Sequence, residues 1–408
     1  MDTQKFLPFV IVASILLIFF DWYFIVSWTK FIRERKYKPF LYQIMWILGI
    51  LCFAMSIVTN IMRLENYNPR GFEKILFILP AIWYLPKTVI VPVLIIKDIF
   101  YLIKKLLTQK KQLSVNNDLD NTGRRKFVQA AGWTAAAAPF LLVTDGLIRT
   151  TNNFKIHTVD VPLYKLPKAM DGLKIVQISD IHAGSFASST PMTTVLLLVE
   201  SIDPDLIVIT GDFVNFHPNE LPFIVPQLSN LKAKYGVYAC LGNHDHYMRQ
   251  NEHEILLEII KEAGIKLLIN ENETITIKNE KLQIAGCDNS SYRMSFGNIP
   301  KTLYGLKNYL PTILLCHDPT NWDKEIRKKT FADLTLSGHT HGGQVGIELF
   351  GETLTPARLS YKQFAGLYRD RDQYIYVNRG IGTVAVPVRI GINPEITLLT
   401  LRAIDNVA

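Results

Sequence analysis

Histidine and acidic residues are scarce in the first part of this 408-residue sequence, and cysteine is scarce throughout. None of the nine histidines precedes residue 150, and residues 1–150 hold 19 Lys and Arg against 9 Asp and Glu. The net charge of +8 therefore comes from the first part, where basic residues flank apolar runs. This pattern argues against nucleic-acid binding, which needs a basic face on a globular domain. Four scattered cysteines exclude a disulfide-stapled scaffold, and we expect them to be small buried side chains.

Four apolar stretches in the first 148 residues are long enough to cross a membrane, because about 20 helical residues span a hydrocarbon core of ~30 Å. They are residues 6–28, 40–62, 75–96 and 127–148, of which the last is rich in alanine. Residues 1–148 are therefore predicted to form a transmembrane region of about four helices, with a basic linker at 97–126. Asp21 and Lys87 lie within two of the stretches. They are either intramembrane functional charges, or they sit near the interface or inside the helix bundle.

The basic residues also predict the orientation of the chain in the cell membrane. They are dense in 29–39 and 97–126, which the positive-inside rule places in the cytoplasm. Four crossings then put the residues after about 148 on the extracytoplasmic side, whereas a stretch 127–148 that does not cross leaves them in the cytoplasm. Residues 122–128 resemble a twin-arginine export signal, so the export machinery is one possible partner. The other interpretation is a basic anchor before a span, and both give the same topology.

After residue 150 the sequence changes to short β-rich runs separated by turns and helical stretches. Strands are predicted at 173–179, 206–210, 237–241, 282–286, 312–316, 333–337, 374–378 and 396–401. Residues 190–201 and 252–263 have helical spacing. Continuous apolar strands indicate burial on both faces, so we expect an α/β domain in which helices cover the sheets.

Metal-binding residue types follow five of the predicted strands. The clusters contain Asp180 and His182; Asp212; Asn243, His244 and Asp245; His317; and His339 and His341. In open α/β sheets ligands bind at the carboxyl ends of strands, which is where all five clusters fall. Carboxylates and imidazoles without a thiolate fit Mn, Fe, Zn or similar ions rather than a structural zinc.

The order Asp-x-His, Gly-Asp, Gly-Asn-His-Asp, His and Gly-His-x-His resembles the calcineurin-like metallophosphoesterase superfamily. The run Gly-His-Thr-His-Gly-Gly-Gln at 338–344 resembles its membrane-associated bacterial branch. The resemblance covers about 155–402 and implies a four-layer α/β/β/α sandwich with two divalent metal ions. It assigns one ion to Asp180, His182, Asp212 and His341. It assigns the other to Asp212, Asn243, His317 and His339, with the Asp212 carboxylate bridging.

The resemblance also implies a mechanism in which a hydroxide bridging the two ions attacks phosphorus. His244 would protonate the leaving oxygen, and Asp245 would orient the His244 imidazole. Arg379 either contacts a substrate phosphate or forms a structural ion pair. His246 either lines the cleft or faces solvent. The three remaining histidines, His157, His217 and His253, lie outside the motifs and are expected to have no role in the site.

We therefore expect a membrane-anchored, metal-dependent phosphohydrolase. Phosphodiester or pyrophosphate-linked substrates, including lipid-linked ones, are favoured because the domain is tethered at a bilayer. The alternatives are a phosphomonoesterase for soluble substrates and a non-catalytic metal-binding sensor or interaction domain. The second alternative is disfavoured because Asp212, Asn243 and His244 are all present. A transporter would need polar residues patterned along its spans, and these are sparse.

Overall fold

The computed structural model of the chain describes residues 3–31, 38–64, 67, 69–108, 127, 130–291, 294–349 and 352–404. It contains two compact units, one of residues 1–67 and 73–145 and one of residues 68–72 and 146–408. The segment that resembles an export signal, 122–128, lies outside the described residues apart from Phe127, as does the later part of the predicted linker, 109–126.

The first unit is helical, with α1 at Thr3–Phe31, α2 at Lys38–Leu64, α3 at Ile75–Thr108 and α4 beginning at Ala138 and ending at Ile148. Four helical segments are long and apolar enough to cross a membrane: Val10–Phe31, Lys38–Met62, Gly71–Leu107 and Ala130–Asn152. One boundary needs correction, because α3 continues through residues 97–108, which we predicted to belong to a linker. This part of the sequence is rich in leucine, isoleucine and lysine and contains no proline or glycine, so nothing in it ends the helix.

Asp21 and Lys87 pair with each other inside the first unit. The Lys87 ammonium contacts the Asp21 carboxylate, which also accepts hydrogen bonds from Trp83 Nε1 (2.9 Å) and the Tyr84 hydroxyl (3.0 Å). Both charged side chains are buried. Of the interpretations that the sequence left open, the structure therefore favours packing inside the helix bundle. An unpaired charge at this depth would be costly, and the ion pair with its two extra donors offsets that cost.

The second unit contains every strand that the structure describes, together with five short or medium helices. The strands are β1 Lys155–Leu163, β2 Lys174–Ile178, β3 Leu206–Thr210, β4 Val237–Cys240, β5 Lys266–Leu267, β6 Glu271–Ile277, β7 Glu280–Gly286, β8 Thr312–Leu315, β9 Leu334–Ser337, β10 Ile347–Leu349, β11 Glu352–Leu354, β12 Gly366–Asp370, β13 Gln373–Val377 and β14 Glu395–Ala403. The helices are α5 Thr190–Ile202, α6 Val225–Ser229, α7 Gln250–Glu262, α8 Ile299–Thr302 and α9 Ala357–Ser360.

Two six-stranded sheets pack face to face. Their strand orders are β1-β14-β2-β3-β4-β5 and β12-β13-β9-β8-β7-β6, and β10 and β11 form a separate hairpin. Apolar side chains such as Ile175 and Val208 from the first sheet and Ile284 and Leu336 from the second fill the space between the sheets. Helices α5 and α7 cover the outer face of the first sheet, and Trp322 packs on the outer face of the second. The domain is therefore the expected four-layer α/β/β/α sandwich.

All eight predicted strands form, with ends within two residues of those predicted. The predictions missed β1, β5, β6, β12 and the hairpin of β10 and β11. The longer missed strands, β1 and β6, lie at sheet edges, and most of their residues are exposed or half-buried, so they lack the continuous apolar run of a central strand. All four cysteines are buried and unpaired, as expected.

The carboxyl ends of the central strands of both sheets meet at one edge of the sandwich. Gln177 at the end of β2 joins them, because its Nε2 donates to Thr210 Oγ1 of β3 (3.0 Å) and to the Ser337 carbonyl of β9 (2.9 Å). Strands β2, β3 and β4 run parallel in the first sheet, and β8 and β9 run parallel in the second. The five clusters that follow these strands therefore converge.

Candidate metal centre

The backbone turns sharply at this edge. Five of the seven predicted metal ligands have a left-handed backbone: Asp180 (φ 49°), His182 (42°), Asp212 (57°), His339 (71°) and His341 (52°). Such a conformation costs about 1–2 kcal/mol for each residue that is not glycine. Backbone hydrogen bonds between loops hold it in place, including Asp180 N–H to Gly211 O and His182 N–H to Asp212 O. Strained residues that cluster in this way are typical of functional sites.

Asp180, His182 and His341 form the first group of potential ligands, with one donor atom from each within 4.8 Å of the others. The two imidazole Nε2 atoms are 3.2 Å apart, and His341 Nε2 is 3.4 Å from Asp180 Oδ1. All three side chains are buried, and both Nδ1 atoms have no hydrogen-bond partner in the described part of the chain. These are the residues that the resemblance assigns to one ion, together with Asp212.

Asp212, His317 and His339 form the second group. His317 Nε2 lies 3.1 Å from Asp212 Oδ2 and 3.3 Å from His339 Nδ1. The same Oδ2 atom is 3.4 Å from His182 Nε2 of the first group, so Asp212 lies between the two groups. The amide of Asn243 donates to the Tyr247 hydroxyl at 2.8 Å, which leaves its buried Oδ1 without a partner among the described residues.

The charges of the two groups fit divalent cations. Burial opposes a charged imidazole, yet the Asp212 carboxylate raises the pKa of His317 to about 10 and also raises the pKa of His182. The pKa of Asp212 is lowered well below its ordinary value despite its burial, chiefly by His317 and His244. A buried carboxylate that favours nearby positive charge this strongly, surrounded by imidazoles, is a donor set of the kind that holds Mn, Fe or Zn.

Two glycines let the backbone approach the carboxylates. A Cβ atom at Gly338 would collide with Asp180 Oδ2, and one at Gly242 would collide with Asp212 Oδ1. Any other residue would push these carboxylates away from the histidines. The glycines of the Gly-Asn-His-Asp and Gly-His-x-His motifs therefore have a steric role at the centre.

His244 lies beside the two groups, and one of its ring nitrogens is within 4.8 Å of donor atoms of His182 and Asp212, so these three residues form a third, overlapping group. Its Nδ1 is 2.7 Å from the Asn215 carbonyl, which identifies Nδ1 as the protonated nitrogen and leaves Nε2 for another partner. Its ring packs edge-on against His182, with 4.7 Å between centroids, and its backbone N–H donates to Asp212 Oδ1 at 2.8 Å. Burial lowers the pKa of His244 to about 4.

The structure does not place Asp245 against the His244 imidazole, which corrects the orienting role we expected. Its carboxylate instead accepts the backbone N–H groups of Asp212 (2.9 Å), Phe213 (2.8 Å) and Gly242 (2.9 Å). The reason is local, because His244–His246 form one turn of 3-10 helix, in which adjacent side chains point about 120° apart. Asp245 thus holds the loop that carries Asp212, and the Asn215 carbonyl orients His244.

Two further residues that the sequence left open have partners outside the metal groups. Arg379 Nη1 lies 2.7 Å from Glu395 Oε2, so Arg379 forms the structural ion pair. His246 Nε2 lies 2.7 Å from Asp288 Oδ1, and its ring stacks on Phe296 with 4.3 Å between centroids. The His246 side chain is therefore packed against its neighbours rather than facing solvent.

Sequence reasoning missed Glu220, which shapes the loop beside His244. Its buried carboxylate accepts the N–H groups of Gly184 (3.1 Å), Asn215 (2.6 Å) and Phe216 (3.0 Å). It therefore fixes the position of the Asn215 carbonyl that binds His244. Burial raises the pKa of Glu220 even though these donors favour the carboxylate. The sequence feature that could have identified Glu220 is its position three residues after His217, a spacing typical of a helix-capping pair.

Tyr361 was also missed, and no local pattern in the sequence identifies it. Its hydroxyl lies 3.2 Å from His339 Nε2, on the opposite side of the ring from the Nδ1 atom that faces His317. A group that is hydrogen-bonded to the second ring nitrogen of a metal-ligating histidine fixes the tautomer and the orientation of the ring. Removing such a group typically lowers metal affinity about 10–100-fold.

Tyr361→Phe is expected to weaken metal binding by about 10–100-fold without loss of the fold, because only the hydroxyl is removed. Titration of the metal-free protein with Mn, followed by calorimetry, measures this. Tyr368→Phe is the matched control, since the Tyr368 hydroxyl accepts a backbone N–H from Phe364 at 3.2 Å and does not reach the two groups. Equal Mn affinity for both variants would contradict the positioning role of Tyr361.

Comparison with known proteins finds a matching family for the N-terminal helical part and another for the C-terminal domain. Residues 6–151 match the family described as "Probable Calcineurin-like phosphoesterase, transmembrane domain", and residues 173–343 match the family described as "Calcineurin-like phosphoesterase". The chain is 33% identical over 264 residues to an uncharacterized metallophosphoesterase of Bacillus subtilis, a match that covers 63% of this chain and 86% of the relative.

Two other relatives extend the comparison. The chain is 30% identical over 229 residues to the phosphodiesterase YaeI of Escherichia coli, covering 56% of this chain and 82% of the relative. It is 32% identical over 272 residues to a Danio rerio transmembrane protein with a metallophosphoesterase domain, covering 64% of this chain but only 60% of the relative. The chain belongs to the calcineurin-like metallophosphoesterases, and residues 6–151 before its catalytic domain match a transmembrane domain described for probable calcineurin-like phosphoesterases.

Proposed function

We propose that the chain is a membrane-anchored phosphohydrolase that uses two divalent ions to hydrolyse phosphodiester or pyrophosphate-linked substrates. The observation that carries this proposal is the pair of buried donor groups that meet at Asp212 Oδ2. Asp180, His182 and His341 would hold one ion, and Asn243, His317 and His339 the other, with Asp212 shared. Two such ions, when bound, supply Lewis-acid stabilisation of the phosphoryl oxygens and lower the pKa of a bound water.

The residues around the ions have separate tasks in this proposal. His244 presents Nε2 toward the substrate and protonates the leaving oxygen, while the Asn215 carbonyl holds the opposite side of the ring. Glu220 and Asp245 hold the two loops that carry Asn215 and Asp212. No serine or cysteine nucleophile is required, and the four cysteines are buried and unpaired.

A phosphodiester substrate has the better support. A relative from Escherichia coli is named a phosphodiesterase, and the domain is joined directly to a helix apolar enough to span a bilayer. The test is a screen of the full-length protein in detergent, with Mn added, against phosphodiesters, monoesters and pyrophosphate-linked lipid head groups. Mn-dependent hydrolysis of diesters or pyrophosphate linkages is expected. Hydrolysis of monoesters alone would favour the soluble-substrate alternative, and no hydrolysis at all would favour a sensor domain.

We further propose that the catalytic unit lies on the extracytoplasmic side of the cell membrane. The loop between α2 and α3 supports this, because residues 68–72 belong to the same compact unit as the catalytic domain. Gly71 N–H donates to the Ala187 carbonyl (2.9 Å), and Arg70 donates to the Asn219 carbonyl (3.0 Å). Four crossings leave this loop and the catalytic domain on the same side, whereas three crossings would separate them. The basic residues of 29–39 and 97–126 support the extracytoplasmic side for both.

Cysteine labelling tests this topology, with little background because all four native cysteines are buried. A cysteine at Tyr309, which is 70% exposed in the catalytic unit, is expected to react with a membrane-impermeant maleimide in sealed right-side-out vesicles. A cysteine at Leu107, which is 72% exposed near the end of α3, is expected to react only after the vesicles are permeabilised. Reaction of Tyr309→Cys only after permeabilisation would place the catalytic unit in the cytoplasm, whatever the result for Leu107→Cys.

A further inference from the structure

The hairpin that follows the Gly-His-x-His motif exposes several large apolar side chains. We use "apolar hairpin" for β10, β11 and α9 together. Ile347 is 65% exposed, Leu349 48%, Leu354 51% and Leu359 91%. Ile347 and Leu354 are paired across the two strands, and Leu349 lies two residues from Ile347, so these three share one face of the hairpin. Exposed apolar patches of this kind mark an interaction surface.

The start of the apolar hairpin and the end of the last candidate span both contact residues 388–390. Gly146 of α4 packs against residues 388–390, and its carbonyl accepts the Arg389 N–H at 3.3 Å. Ile390, next in sequence, accepts the Gly346 N–H at 2.9 Å, and Gly346 immediately precedes β10. The residue before β10 and the C-terminal part of α4 are therefore both hydrogen-bonded to the same short segment, residues 389–390.

The residues directly after β11 and directly after α9 contact the candidate metal centre. Thr355, directly after β11, donates to the Gly342 carbonyl at 2.8 Å, beside His341. Tyr361, directly after α9, reaches His339 Nε2 at 3.2 Å. The chain thus leaves the metal centre, forms the hairpin and returns to the metal centre within 20 residues.

Basic side chains accompany the apolar ones. Arg358 and Lys362 are exposed and flank Leu359 in sequence. Arg358 lies over the Phe364 ring at 5.7 Å, and Lys362 is 3.7 Å from the Asp323 carboxylate, so each also has a contact within the domain. Leucines next to arginine and lysine are typical of segments that lie in the headgroup region of a bilayer.

We propose that the apolar hairpin docks into the leaflet nearest the C-terminal end of α4 and thereby presents the metal centre to phosphodiester or pyrophosphate groups of membrane lipids. The bilayer is the occupant that the connections favour, because the hairpin is joined through residues 388–391 to the end of a span. This inference rests on the proposed phosphohydrolase function and names the substrate class of that same centre as lipid-borne.

Lipid contact is tested first, with a readout that does not depend on activity. The full-length protein carries a fluorophore on Leu359→Cys and is reconstituted in nanodiscs that contain brominated lipids. Strong quenching is expected at this position. Tyr309→Cys is the matched control, because Tyr309 is 70% exposed and lies before β8, at the end of the sheet away from the metal centre. Equal quenching at both positions overturns the proposal, as does self-quenching between two labelled copies without quenching by lipid.

Turnover tests the substrate class. Leu359→Glu is expected to lower hydrolysis of a bilayer-embedded phosphodiester by about 10-fold or more, the scale of losing one buried leucine side chain. Hydrolysis of a soluble nitrophenyl phosphodiester should change less than about twofold, because Leu359 is 91% exposed and outside the centre, and Tyr309→Glu should leave both rates unchanged. Equal losses on the two substrates would overturn the proposal. If no phosphoester is hydrolysed at all, the proposed function fails, whereas the quenching result still decides docking.

Discussion

Asp212→Ala is expected to lose bound metal together with nearly all activity, by at least about 10³-fold, the upper end of what a single electrostatic group contributes. The reason is the position of the Asp212 carboxylate, whose Oδ2 lies 3.4 Å from His182 Nε2 in one donor group and 3.1 Å from His317 Nε2 in the other. Without it the two groups no longer share a ligand, and neither retains a full donor set. Elemental analysis of the purified variant, beside its turnover with Mn added, measures both effects.

Asp318→Ala is the matched control. Asp318 is a buried aspartate directly after His317, but its carboxylate accepts the Thr320 N–H at 2.8 Å and serves as a turn residue. The control variant is expected to retain its metals even if its stability falls. Circular dichroism and a thermal melt of both variants separate loss of metal from loss of fold. Two metal equivalents per chain in folded Asp212→Ala would contradict the shared-ligand assignment.

Much of this centre could be predicted because it depends on features that adjacent residues encode. A continuous apolar run such as Leu206–Thr210 predicts a buried strand, and the next polar residue, Asp212, then lies at its carboxyl end. Parallel strands bring their carboxyl ends to one edge whatever the loops between them do. Asp180, His182, His317, His339 and His341 are brought together with Asp212 in this way.

The rest could not be predicted because it depends on contacts between distant parts of the chain. Tyr361 meets His339 only because a hairpin of alternating, exposed residues folds back on the centre. Asp245 accepts the backbone N–H of Asp212, a contact between residues 33 positions apart that the local sequence does not specify. Asp21 and Lys87 were both visible as charges in apolar stretches, but their pairing depends on how α1 and α3 pack.

The same distinction applies to the membrane region. Length and hydropathy located the candidate spans, because a hydrocarbon core imposes a minimum apolar length. They did not locate the end of α3 at Thr108, since a helix that has left the hydrocarbon core continues for as long as its residues favour helix. Positive charge predicts which side a loop occupies, whereas the membership of residues 68–72 in the catalytic unit bears only on the number of crossings.

His244→Ala is expected to slow turnover without loss of bound metal, which distinguishes a proton donor from a metal ligand. Its Nδ1 is held by the Asn215 carbonyl, so Nε2 is the nitrogen that can reach the leaving oxygen. General acid catalysis typically contributes ~10²–10⁴-fold, and its contribution is largest for a poor leaving group such as an alkoxide. The variant should therefore keep its metals and hydrolyse alkyl phosphodiesters ~10²–10⁴-fold more slowly, while nitrophenyl phosphodiesters, whose leaving group departs readily as an anion, should slow much less.

The rival role for His244 is direct contact with the substrate phosphate, which would slow both classes of substrate alike. Burial lowers the pKa of His244 to about 4, so the general-acid role requires an anionic phosphate beside the ring to favour the protonated imidazole. His246→Ala removes an imidazole from the same turn, where it packs on Phe296, and should show no dependence on the leaving group. Equal losses of His244→Ala on alkyl and nitrophenyl esters, with metal content intact, would make His244 a phosphate-binding residue and remove the general acid from the mechanism.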